Sequence, residues 1–226
     1  MSIWARISQA LAALTKGEAL SAVFDRLRTP PEHSVGFTIA VIALGAKMAK
    51  ADGLVTKDEV TAFRQVFYIP KSQMTQAARV FDLARQDVSG YEFYARRISA
   101  MFGRGNQILK DLMDGLFHIA TADGHYHPSE NIFLETVAQI FGLTNREFRT
   151  MRARYVTDEV PDPYTVLGVS PDDSFETIKS VWRSLARESH PDQMIARGVP
   201  EEAVKLAERR MTQINQAFDE IVAERG

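Results

Sequence analysis

No cysteine occurs anywhere in the 226 residues. That excludes disulfides, thiol nucleophiles and thiolate metal sites, and it is compatible with a reducing cytoplasm. An excess of one charge is also missing: 27 Lys and Arg stand against 29 Asp and Glu, a formal net charge of −2. Such a chain has no overall basic field to draw nucleic acid or anionic lipid. Long hydrophobic runs are absent too. The longest, Val35 to Ala46, is broken by Thr38, whereas a spanning helix needs roughly 20 apolar residues. The first residues, MSIWARISQALAAL, lack the basic start, continuous apolar stretch and cleavage site of a secretory leader. No glycine-rich phosphate loop, G-x-S-x-G or H-E-x-x-H motif appears, which leaves an enzyme reading little support. Nor does any run of alternating β-branched residues suggest a sheet.

What is present reads as helix almost throughout, with an ordinary 45% apolar and 25% charged content. Breaks fall at Thr29-Pro30-Pro31, Ile69-Pro70, Gly103-Arg104-Gly105 and the acidic stretch VTDEVPDP, Val156 to Pro163. The last carries two prolines and three acids between two periodic regions, so it is the expected interdomain linker. Autonomous folding on either side of it is the corresponding expectation. The stripe Ile3, Ile7, Leu11 and Leu14 predicts an amphipathic first helix that packs on its own domain in preference to a membrane surface.

Before the linker the chain repeats itself. AKADGLVTKDEV, residues 49–60, returns as ATADGHYHPSEN, residues 120–131, and Phe63 and Val66 find counterparts in Leu134 and Val137. A two-fold repeat points to one all-helical domain of two similar halves, not to a solenoid. Asp52 and Glu59 thus recur as Asp123 and Glu130. Four carboxylates at pseudo-two-fold positions could hold a hard divalent cation such as Ca²⁺ or Mg²⁺. Helix capping explains the same residues: Thr56 with Glu59 forms a capping box, and Pro128 with Glu130 marks a helix start. His125 and His127 occur only in the second copy; with Asp123 and Glu130 they invite a transition-metal reading, against which a solvated turn is the ordinary one.

After the linker, Asp162-Pro163-Tyr164 opens a short helix that Gly168 stops. Asp173 and Glu176 are spaced as a capping box for the next helix, which runs to about Ser189, where Pro191 ends it. Ile178, Val181 and Leu185 share its apolar face, Lys179, Arg183 and Arg187 form a basic stripe beside it, and Trp182 lies between. A loop follows, and Pro200-Glu201-Glu202 begins a long helix with an apolar seam at Val204, Ala207, Met211, Ile214, Phe218 and Ile221. The pair makes a helical hairpin with His190-Pro191-Asp192 at its tip.

DPYTVLGVSPDD, IKSVWRSLARESHPD and INQAFDEI, in this order and spacing, resemble the J-domain of DnaJ-family co-chaperones along its whole length. The loop MIARGVPEEAVKLAERR is similar to that of DjlA-type bacterial proteins, which join a TerB-like helical domain to a C-terminal J-domain, and the repeat fits the TerB-like part. The resemblance implies an all-α chain with an amphipathic segment at 1–30, a TerB-like domain at 31–156, a linker at 157–162 and a J-domain at 163–226. It implies a DnaK-type Hsp70 as partner, contacted by Lys179, Trp182, Arg183, Arg187, His190, Pro191 and Asp192, with no catalysis by the chain itself. For the TerB-like part it implies metal, stress or partner sensing; the rival reading is a metal-binding, tellurite-stress or scaffold protein in which the J-domain is secondary. The anchor helix of DjlA-type proteins has no counterpart, so a cytoplasmic location is expected, with a peripheral contact to the inner membrane left open. Ser184, Glu188 and Gln193 stand where many J-domains carry basic residues, and Trp182 where tyrosine is more common, so the stripe is thinner than usual.

Overall fold

The computed structural model describes residues 3–14, 18, 20–25, 27, 32–52, 69, 71–86, 90–156 and 162–225. Its α-helices are α1 (Ile3–Ala12), α2 (Glu32–Asp52), α3 (Met74–Gln86), α4 (Tyr91–Phe102), α5 (Gln107–Ala120), α6 (Pro128–Phe141), α7 (Asn145–Tyr155), α8 (Pro163–Leu167), α9 (Phe175–Glu188), α10 (Pro191–Ala196) and α11 (Val204–Arg225). No strand occurs among the described residues, and the fold is all-α. None of the described helices is long and apolar enough to cross a membrane.

The segment Val35 to Ala46 becomes the central post of the larger core. Phe37, Ile39, Val41, Ile42 and Leu44 point in every direction around α2, and each is at most 1% exposed. A helix apolar on all sides must be enclosed on all sides, and α1, α3, α4, α5 and α6 enclose it. The stripe on α1 is spent on this core as expected: Ile3, Ile7 and Leu11 are buried together with Trp4.

Local signals set the helix ends. Asn106 caps α5 by accepting the Ile108 N–H at 3.1 Å, and Thr144 with Glu147 forms a reciprocal box at the start of α7. Gly142 ends α6 in the left-handed region at φ 85°. A Cβ there would lie 2.5 Å from the Cγ of Arg104, so both backbone and space require glycine.

A smaller core lies between α8, α9 and α11 and is built from Tyr164, Val166, Leu167, Ile178, Ile214, Ala217 and Ile221. The two cores are not independent. Met194, Val199, Ala203, Leu206 and Ala207, all beyond the linker, belong to the larger one, so residues from both sides of the linker share it. The expected seam of α11 is also revised. Leu206, Arg210 and Ala217 are buried, while Met211 and Phe218 are only half-buried. The helix turns one stretch of its inner face to the larger core and the next to the smaller, so a single straight seam does not describe it.

Candidate functional site

The start of α9 differs by one residue from the expected Asp173 box. Ser174 is the cap, accepting the Thr177 N–H at 3.2 Å, while Asp173 accepts the Ser170 N–H at 2.8 Å in the preceding turn. From there α9 runs to Glu188. Its basic stripe faces outward: Arg183 and Arg187 are exposed and Lys179 is half-buried. Trp182 faces the hairpin. Its ring stacks on Phe218 at 4.3 Å between centroids, and its indole N–H donates to Asn215 Oδ1 at 3.0 Å.

The tip is a helix start, not a loop. Helix α9 ends at Glu188 with Ser189 as its C-cap, as the sequence predicts, and Pro191 then occupies the first turn of α10, where a missing N–H costs nothing. His190 is the cap, with extended backbone at ψ 135°, and its Nδ1 accepts the Asp192 N–H at 3.2 Å. Acceptance at Nδ1 puts the proton of the neutral ring on Nε2. The carboxylate of Asp192 lies 3.7 Å from Nδ1, and the side chains of His190 and Asp192 are 53% and 85% exposed. Both groups are therefore displayed by a capped turn and open to a partner.

Behind this display the turn is anchored. Ser189 and Met194 are 1% and 2% exposed. Arg197 donates to the Glu188 carbonyl at 2.9 Å and to Asp111 Oδ2 at 2.9 and 3.1 Å. Asp111, fully buried on α5, also accepts from Arg210 at 2.8 Å, and Arg210 pairs with the buried Asp114. On the same side of α5, His118 lies against the Arg209 guanidinium. Burial, reinforced by Arg209, pulls the His118 pKa from 6.5 down to about 4. Further contacts across the linker come from Arg154, whose guanidinium donates to the Val166 carbonyl, and from Gln213, which donates to the Arg154 carbonyl at 2.6 Å. Sequence reasoning missed Asp111, Asp114, Arg197 and Arg210. The available signal was two acids one turn apart, Asp111 and Asp114, among the apolar residues Ile108, Leu112, Met113 and Leu116.

The repeated acids divide differently. Glu59 and the side chain of Asp52 lie outside the described residues. Asp123 Oδ1 accepts the His125 N–H at 2.9 Å, and Glu130, 4% exposed, accepts the His127 N–H at 2.8 Å. Both carboxylates therefore close a turn and a helix start. Among the described residues no group of three or more His, Asp or Glu is placed to hold a metal ion. Beside this turn a broad groove of about 740 Å³ runs between α6 and α7, lined by Tyr126, Ile132, Glu135, Phe148, Arg149 and Arg152. Ile132 is 61% exposed there.

Residues 38–153 match the family model described as tellurite resistance protein TerB, and residues 162–224 match that of the DnaJ domain. Over its whole length the chain is similar to the co-chaperone protein DjlA of Escherichia coli K12, at 25% identity across 99% of that protein. The DjlA of Haemophilus ducreyi is 24% identical over 93% of this chain and 85% of its own, and that of Aliivibrio fischeri 26% over 86% and 81%. No solved structure matches at a significant level. With more than half of its length matched to one model and its remaining hairpin to another, the chain belongs to the TerB family and carries a DnaJ domain behind the TerB region.

Proposed function

We propose that the chain stimulates ATP hydrolysis by a DnaK-type Hsp70, using the outer face of α9 and the tip at His190-Pro191-Asp192. One observation carries the reading. Arg183, Arg187, His190 and Asp192 are exposed on one side of a hairpin whose backbone is pinned from the other. That arrangement suits recognition: the exposed cations steer an acidic surface, and the capped tip offers fixed donors and acceptors. The co-chaperone names of the relatives support it. The chain acts as a regulator, adding binding free energy to one state of its partner and so shifting a population, with no bond made or broken on its own residues. Trp182 serves the hairpin's integrity, and Lys179, Arg183 and Arg187 serve docking. For the TerB region we propose a second protein partner, with the groove around Ile132 as its contact surface; exposed apolar area rimmed by charge favours this over metal sensing.

Steady-state ATP hydrolysis by a bacterial Hsp70, titrated with the full chain at two salt concentrations, tests the reading. His190→Gln should abolish stimulation and lower the unfolding midpoint only slightly, because it loses the cap of a six-residue helix but lies outside both cores. Arg183→Ala should raise the concentration needed for half-maximal effect, more so at low salt. Full stimulation by His190→Gln would overturn the proposal.

A further inference from the structure

The displayed tip is tied to the TerB region through a buried carboxylate. Glu188 is the last residue of α9, and its carbonyl is one of the acceptors that a helix end leaves without an intrahelical donor. Arg197, just past the end of α10, supplies that donor at 2.9 Å. The same guanidinium forks onto Asp111 Oδ2 at 2.9 and 3.1 Å. Asp111 sits on α5, and its second oxygen is held by Arg210. The segment from Ser189 to Ala196, which contains the whole tip, therefore leaves and returns to one fixed point on α5.

A buried ion-pair network of this kind is weak evidence for stability, because desolvation offsets much of its attraction. What a bidentate guanidinium adds is direction. Asp111, Asp114 and Arg210 are buried and the Arg197 side chain is 21% exposed, so most of the network that sets this direction is shielded from water. We infer that Asp111 and Arg197 are positioning residues for the His190-Pro191-Asp192 tip, so that the TerB region fixes the geometry with which the hairpin meets its partner. The inference rests on the Hsp70 reading for its functional consequence, but its structural part does not need a partner.

The experiment uses the full chain with Arg197→Met, which keeps the aliphatic stem and removes the fork, and with Arg197→Lys, which keeps the charge and cannot serve both acceptors in one plane. Hydrogen exchange is read at the amides of Asp192 and Met194, which His190 holds. Exchange there should quicken about tenfold in Arg197→Met and less in Arg197→Lys, while the amide of Ile178 at the start of α9 stays as slow as before. In the Hsp70 titration, maximal stimulation should fall several-fold with half-saturation unchanged, since the basic stripe is untouched. Unchanged exchange at the tip in a folded Arg197→Met or Arg197→Lys protein would overturn the inference. So would a loss expressed only in half-saturation. If the unsubstituted chain fails to stimulate Hsp70 while the exchange effect appears, the positioning role stands and the Hsp70 reading falls.

Discussion

His118 illustrates how a single side chain can make the whole assembly sensitive to acid. Half-buried against Arg209 of α11, it has its pKa pulled down to about 4 by desolvation and by that guanidinium, while the unfolded chain titrates it near 6.5. Between these values the unfolded state binds a proton that the folded state refuses. Its contribution is therefore complete above pH 6.5 and declines as pH falls towards 4, by on the order of 2 kcal/mol. Urea melts at pH 7.5 and 5 should show the difference, and His118→Gln should flatten it. Glu130 is a second case. The repeat made it a candidate cation ligand, and the structure spends it on the His127 N–H. Glu130→Ala should cost about 1 kcal/mol, equally with and without added Ca²⁺, Mg²⁺, Zn²⁺ or Mn²⁺. A loss that appears only when metal is present would contradict capping as its whole role. Sequence pattern locates such a residue well and cannot say which atom its carboxylate meets, because capping and coordination ask for the same residue type.

At the scale of the helix, α9 shows what periodicity conveys and what it omits. The wheel placed Ile178, Val181 and Leu185 on one face correctly, yet only Ile178 is fully buried. A short hairpin covers the middle of that face and leaves its margins partly wet. Ile178→Ala should accordingly cost about 3 kcal/mol in a denaturant melt and Val181→Ala about 1 or less. The basic stripe and the tip were legible because they depend on spacing and on proline alone. Helix α10 was not, since the proline that ends one helix and the proline that opens the next look identical in a sequence. The cap at Ser174 was missed for a similar reason: Asp173 beside it is an equally good acceptor, and the turn at Ser170 claims it.

For the whole molecule, the all-helical class and the hairpin could be read from residue order, while residues 53–68, most of the first copy of the repeat, lie outside the described residues. The shared core could not be read that way. An acidic, proline-bearing linker reports on the chain's path and says nothing about what packs across it. Val199, Leu206 and Ala207 complete the larger core, and the buried Arg210 crosses to α5. Protease cleavage within residues 157–161 should therefore leave two fragments that elute together on gel filtration in native buffer. Separation of the fragments without denaturant would show that the interface is too weak to hold them.

Helix α11 passes from one core to the other within its 22 residues, on the order of 33 Å of continuous rod. The larger core begins at Ile3 and is closed by Ala207, so its walls lie some 200 residues apart along the polypeptide. At a synthesis rate of roughly 5–20 residues per second, the nascent chain spends on the order of ten seconds with α2 and α5 made and part of their cover still missing. During that interval the apolar surface awaiting Leu206 and Ala207 faces the surroundings of the ribosome. A protein that carries a DnaJ domain thus presents, while it is being made, the kind of surface that chaperones retain.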